Sequence, residues 1–266
     1  MPDFRNVTSL DLPELQPYRT LRRPLEHQAS GIFIGEGGKV VERMISGGIE
    51  IVSMLMTPQW QLRLQPRGDY PVYIAEQELL ETIVGFPLHQ GIMAIGRIPD
   101  QPPLDALLKR AAHPWLLVAL DGLVHAENVG VVLRNASAFG VHAVLHDAGS
   151  SSPYLRRAVR NSMGTVFRMP IIQVPDLSVA LLELNSKHGI TVLGADPGGE
   201  VEIYHAEFHR DLCIVFGNEG TGISEGVLQA CQQLVSIPMQ NSTDSLNVAS
   251  ASAVFLHAVN VARRNL

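Results

Sequence analysis

The chain has 266 residues, 46% of them hydrophobic, which is enough apolar material for one large α/β domain or two modest ones. No run approaches the roughly 20 apolar residues of a membrane span, and the start MPDFRNVTSLDLPELQ lacks the basic and apolar regions of a signal peptide, so a cytoplasmic protein with no membrane partner is expected. The net charge of −6 argues against a generic polyanion binder, and Cys213 and Cys231 are too few and too far apart for a disulfide scaffold or a zinc cluster, which leaves them as core thiols.

Residues 1–20 carry several prolines and little periodicity and are expected to form an extended arm. Residues 21–100 show a helical pattern in GGKVVERMISGG, apolar strands at 49–56 and 72–75, a helix at 76–84 and a strand at 91–98, which together predict a compact α/β unit. In residues 101–114, Pro102, Pro103 and Pro114 punctuate one short helix, the pattern of a linker. From 115 to 266 the pattern becomes strand, loop, helix, repeated. LLVALD, VHAVLHD, IIQV, ITVLGAD, LCIVFG and LVSIPM are near-continuous apolar strands, and helices are expected from Asn128, Pro153, Leu177 and about Asn247. Such alternation predicts a mostly parallel sheet with helices on both faces. Ser152 before Pro153, and Asp176, are candidate N-caps, and Gly189 sits where the helix from Leu177 should stop.

The charge is uneven. Residues 148–175 hold no acid but include Arg156, Arg157, Arg160 and Arg168, and the chain has 17 Arg against three Lys. Planar bidentate cations suit phosphate, so this window is a candidate RNA-contact face, with Arg22, Arg23 and Lys39 near the start of the first unit as a second one. In the helix after Asn128, residues Val129, Val132, Leu133, Ala136 and Phe139 form one apolar stripe. Arg134 is displaced from its centre by roughly 160° at 100° per residue, so it faces away from the core, either as a solvated cation or as one held beside a reacting group.

FGNEGTGIS follows an apolar strand, a common place for a ligand in a parallel sheet. It lacks the lysine of a phosphate loop, Glu219 would repel phosphate, and the spacing is not G-x-G-x-x-G, so a ligand gripped by backbone groups is favoured over a nucleotide phosphate. A Rossmann-type oxidoreductase would need that glycine pattern after the first strand, and LDGLVHAENVG does not supply it. His205 and His209 have i, i+4 spacing but no third ligand nearby, so no metal is expected. Glu81, Glu183 and Asp196 lie on segments expected to be exposed and are read as solvated.

Asn128-Val129-Gly130 with Arg134, Gly217-Asn218-Glu219-Gly220-Thr221-Gly222, and Ile237-Pro238-Met239 leading to Ser245-Leu246-Asn247 resemble, in order and spacing, the three motifs of the SpoU (TrmH-like) family of RNA 2′-O-methyltransferases, within the SPOUT superfamily. SPYLRRAVRNSMGTVFRMPI is similar to that family's stretch between motifs one and two. FIGEGGKVVERMISGG and FPLHQGIMAIG are similar to its N-terminal RNA-binding domain, so the resemblance spans about residues 22–262. It implies that Gly217, Ile237, Met239 and Leu246 hold S-adenosylmethionine, largely through backbone groups. It implies that Arg134 helps the ribose 2′-hydroxyl lose its proton, with Asn128, Glu219, Ser245 and Asn247 shaping the site. It also implies a deep trefoil knot near the C-terminus and a homodimer with its sites at the interface. Structured ribosomal RNA is the expected substrate; the alternatives are transfer RNA and a non-catalytic RNA-binding protein of the same fold. Ala126, where a proline often precedes the Asn, and Asp244, where a glutamate often precedes Ser-Leu-Asn, depart from the pattern and bear on substrate choice.

Overall fold

The computed structural model describes residues 2–21, 23–84, 90–241 and 243–264. The chain divides into two compact units, Met1–Asp100 with Tyr154–Arg168, and Gln101–Pro153 with Met169–Leu266. The first unit opens with β1 (Asp3–Asn6), α1 (Gln16–Arg19), α2 (Pro24–Ala29), β2 (Ile32–Glu36) and α3 (Gly38–Ser46). It continues with β3 (Ile51–Met56), α4 (Pro58–Leu64), β4 (Pro71–Ile74), α5 (Gln77–Val84) and β5 (Ile92–Arg97). Its five-stranded mixed sheet has the order β1-β4-β3-β5-β2, and Leu15, Tyr18, Leu55, Tyr73, Leu80 and Met93 are buried together in one of its cores.

Residues 1–20 correct the expectation of an extended arm. Residues Asp3–Asn6 pair in parallel with Pro71–Ile74, and Tyr18 is fully buried with its hydroxyl 2.9 Å from Ser53 Oγ. The strand was invisible because all four of its residues are exposed, so they carry no alternation of apolar and polar side chains.

The second unit begins with α6 (Leu104–Leu108), β6 (Leu116–Leu120), α7 (Ala126–Ala138) and β7 (Ala143–His146); α8 (Arg156–Asn161) then belongs to the first unit. There follow β8 (Ile171–Gln173), α9 (Leu177–His188), β9 (Thr191–Ala195), β10 (Val201–Glu202), β11 (Leu212–Phe216), α10 (Glu225–Ala230), β12 (Gln233–Ser236) and α11 (Val248–Arg263). The seven strands run in the order β10-β12-β9-β11-β6-β7-β8, and every pairing is parallel. All residues of β6, β7 and β11 are buried, as strands covered on both faces must be. One face packs Leu117, Ala119, Cys213 and Val215 against Leu181 and Leu184 of α9 and Val227 of α10. On the other, Phe216 meets Phe255 of α11 edge-on at 5.9 Å between centroids, and α11 lies against α7. Burial raises the thiol pKa of Cys213, and that of Cys231 to about 11, so neither is a ready nucleophile.

Local signals resolve unevenly. The Asp176 carboxylate caps α9 by accepting from Val179 N at 3.1 Å, and Gly189 ends that helix at φ +66°. The helix expected from Pro153 instead starts at Arg156 with Leu155 at its N-cap, and Pro153 and Tyr154 form a turn before it. Residues 101–114 are not a free linker: Leu108 is buried in the core of the second unit, with Leu104, Leu107 and Ala111 packed on it. Among the described residues no helix is long and apolar enough to cross a membrane.

Candidate functional site

The carboxyl ends of β6, β7 and β11 are braced to one another before any ligand is considered. β11 ends at Phe216, and the next six residues turn back so tightly that Asn218 and Gly222 exchange backbone hydrogen bonds of 2.9 and 3.0 Å, with Gly222 at φ +74°. The Asn218 side chain locks this loop: Oδ1 accepts from Gly220 N and Thr221 N, while Nδ2 donates to Gly122 O at 2.7 Å. Asp121, buried at the end of β6, accepts from Ser224 N at 2.6 Å. Asp147, at the end of β7, gathers Gly122 N, Gly149 N, Ser150 N and the Ser150 hydroxyl. Partial burial works to raise the Asp147 pKa, but the Ser150 hydroxyl and the three backbone donors outweigh it and hold the carboxyl below its ordinary range.

These braces place the loop at 122–125 against Glu219. Its carboxylate accepts from Asn128 Nδ2 at 2.8 Å, His125 N at 3.3 Å and Val124 N at 3.4 Å, at the N-terminal end of α7, where the helix dipole favours an anion. Half-burial pushes the Glu219 pKa up, and these donors, Asn128 foremost, bring it below the usual carboxylate value. Asn128 Oδ1 in turn accepts from Asn247 Nδ2 at 3.2 Å, and Asn247 Oδ1 caps α11 through Ala249 N at 2.9 Å. One residue from each of the three motifs therefore meets in a single hydrogen-bonded chain, Glu219–Asn128–Asn247. One turn pair further along, Asn135 donates to Ala249 O and Ser252 Oγ, both at 2.9 Å, tying α7 to α11. Asn135 was not foreseen; its spacing of seven from Asn128, two helical turns on the same face, was the available signal.

Beside this chain lies a cavity of about 430 Å³. Its walls are the Gly217–Gly222 loop, Ile237, Met239, Ser245, Leu246 and Asn247, with Val235, Phe216 and Phe255 among the apolar lining. The loop approaches itself so closely that a Cβ on Gly217 would overlap Gly222 and Ile223 backbone atoms. Among the described residues no Lys, Arg or His lines the cavity, whereas the carboxylate residues Glu219 and Asp196 do. Asp196 corrects its reading as solvated: it is half-buried at the end of β9. The lining suits a ligand that is flat and apolar in part, hydrogen-bonded by backbone, and positive rather than anionic.

Arg134 stands apart from this group. It is exposed on α7, without a hydrogen bond or ion pair among the described residues, six residues and so about 9 Å along the axis from Asn128. The arginine-bearing segment Tyr154–Arg168 belongs to the first unit. There Arg156 is committed to Glu36 at 2.5 Å, their side chains 23% and 10% exposed. Arg157 and Arg160 are exposed on α8. Arg23 is exposed and pairs with Glu26 at 3.2 Å, and Arg22 lies outside the described residues.

An all-parallel sheet whose carboxyl end carries a ligand cavity, closed by the segment after its last-formed strand, defines an α/β ligand-binding domain. Residues 115–257 match the SpoU rRNA Methylase family. A tRNA/rRNA methyltransferase of Mycobacterium tuberculosis, itself uncharacterized, is 31% identical over 267 residues, covering 95% of this chain and 90% of that protein. The 23S rRNA (guanosine-2′-O-)-methyltransferase RlmB of Ralstonia nicotianae is 36% identical over 183 residues, covering 68% of this chain and 73% of its own. The crystal structure of an rRNA methyltransferase from Sinorhizobium meliloti superposes with a TM-score of 0.83 at 25% identity over 99% of both chains. The chain belongs to the SpoU family of RNA methyltransferases.

Proposed function

We propose that the protein methylates a ribose 2′-hydroxyl in structured ribosomal RNA with S-adenosylmethionine as donor. The observation that carries this reading is the Glu219–Asn128–Asn247 chain, in which the three motif segments converge beside a cavity that no cationic side chain lines among the described residues. S-adenosylmethionine fits that cavity: its sulfonium is positive, its adenine is flat, and the backbone of Gly217, Ile237, Met239 and Leu246 would hold it. When bound, it supplies an activated methyl group to an oxygen nucleophile.

The chain's own residues have two tasks in this reaction, holding the hydroxyl in line and easing loss of its proton. Arginine stays protonated in proteins, so Arg134 would act by lowering the hydroxyl pKa or by seating the adjacent phosphate rather than as a base. Asn128, Glu219, Ser245 and Asn247 would shape the acceptor side, and Arg134, with no hydrogen bond or ion pair among the described residues, would have donors to offer substrate. The first unit would select the RNA. The proposed working form is a cytoplasmic homodimer without metal, in which the path from β12 past the cavity to α11 is the thread of a trefoil knot.

Tritiated methyl transfer from S-adenosylmethionine to total RNA tests the reaction, and loss of a 2′-O-methyl site on gene deletion identifies the nucleotide. A site lost from transfer RNA alone would correct the substrate. Absence of any transfer by a folded protein that binds RNA would leave the non-catalytic alternative.

A further inference from the structure

The first unit contains a second cavity, of about 580 Å³, that takes no part in the network above. Lys39, Gln59, Trp60, Arg63, Gln77 and Gln90 line it. The edge of the Trp60 indole lies where a Cβ of residue 38 would be, so Gly38 is what admits the ring. The Arg63 guanidinium stacks on that ring, 4.5 Å from its centroid. Arg63 is also 4.0 Å from the Glu42 carboxylate, with both side chains well exposed, a contact at the limit of pairing that holds the arginine weakly. Gln90 Oε1 accepts from Gly38 N at 2.6 Å, which fixes the orientation of its amide and leaves Nε2 as a donor. Lys39 is exposed and has no ion pair among the described residues.

A flat cation–aromatic stack, side-chain amides at its edge and an adjacent free cation make up the chemistry that takes an unstacked nucleobase together with its phosphate. A simple anion would leave the indole without a role, and an acidic peptide would meet Glu42. We infer that this cavity is a subsite for one unpaired base of the RNA substrate, stacked on the Trp60–Arg63 pair and edge-bonded by Gln59 or Gln90. It rests on the reading of the protein as an RNA methyltransferase and adds that selection includes an extruded or single-stranded nucleotide held on the first unit.

The test compares the full chain with Trp60→Ala, Trp60→Phe and Arg63→Ala for binding of a single-stranded oligonucleotide, a blunt RNA duplex and adenosine monophosphate, by anisotropy and calorimetry. One stacked base contributes about 1–3 kcal/mol, so Trp60→Ala should weaken single-strand binding by roughly 5- to 150-fold, and Trp60→Phe should restore most of it. Arg63→Ala, at an exposed position, should weaken it several-fold without disturbing the fold and serves alone if Trp60→Ala does not fold. Duplex affinity should be unchanged in all three. Equal single-strand affinity in wild type and Arg63→Ala, or an equal loss for duplex, overturns the subsite. Binding of the mononucleotide as tightly as the oligonucleotide overturns it as an RNA site. A wild type that binds no RNA at all would instead sink the functional reading on which the inference rests.

Discussion

Gly217→Ala tests whether the closeness of the glycine loop is what shapes the cavity. Residue 217 does not need a left-handed backbone, so alanine meets no conformational penalty there and the objection is steric alone. Its Cβ would stand 2.4 Å from Gly222 C and Ile223 N, where ordinary contact begins at 3.4 Å, so the two arms of the loop must part by about 1.0 Å. The atoms in the way are backbone and have no rotamer to turn to. Parting the arms strains the paired Asn218–Gly222 hydrogen bonds, each contributing about 1 kcal/mol, and overpacking adds about 1–3 kcal/mol more. A total near 3 kcal/mol should lower the melting temperature of the second unit by roughly 6–12 °C. Scanning calorimetry measures that shift, and isothermal titration should show S-adenosylmethionine affinity down at least tenfold. Gly220→Ala is the control, because its nearest neighbour would be Asn218 Oδ1 at an ordinary 3.5 Å. If Gly217→Ala melts within 2 °C of wild type and binds cofactor within twofold, or if Gly220→Ala does equal damage, the close approach is not what holds the cavity.

Arg134→Ala should leave the melting temperature within about 1 °C and cofactor affinity within a few-fold while abolishing most methyl transfer, since the side chain is exposed and has no hydrogen bond or ion pair among the described residues; near wild-type turnover would remove its assigned role. Because the folded pKa of Glu219 lies below its unfolded value near 4.5, its stabilisation is complete above that pH and fades as pH falls through the folded value. The difference in melting temperature between wild type and Glu219→Gln should therefore shrink between pH 6 and pH 3, and a constant difference would deny the charge a part. Arg156→Met strands the Glu36 carboxylate, whose side chain is only 10% exposed, and should cost about 3 kcal/mol, whereas the double variant Arg156→Met, Glu36→Leu should recover much of it. Additive losses in that denaturation cycle would mean the pair is not coupled.

The strands of the second unit were legible because strands buried on both faces of a parallel sheet must be apolar along their whole length, and Leu116–Leu120 and Leu212–Phe216 are. The motif residues were legible as candidates from their order and spacing, whereas the hydrogen-bonded chain joining Asn128, Glu219 and Asn247 is a matter of geometry alone. What escaped was whatever depends on a distant partner. Asp196 looks solvated in its own segment and becomes part of a cavity only when β12 and the segment after it are laid alongside β9. Asp147 and Ser150 look like turn residues, yet they hold a loop 25 or more positions earlier. Trp60 sits in a short helix with no buried residue, and its role is set by the absence of a side chain at Gly38. The four arginines of the 148–175 window are close in sequence, but Arg156 already has a buried acid to face.

Sequence neighbours β9 and β10 are not neighbours in the sheet, because β12, made some 30 residues later, lies between them. While the chain is being synthesised, β9 therefore has one unpaired edge, and β10 has no partner at all, until residues Gln233–Ser236 have left the ribosome. An open edge next to an apolar strand invites pairing with another nascent chain. The order of synthesis thus makes the C-terminal segment both the last wall of the cavity and the piece that ends the domain's exposure to aggregation. A chain stopped short of β12 should be found in the insoluble fraction or bound to chaperones rather than as a smaller folded protein.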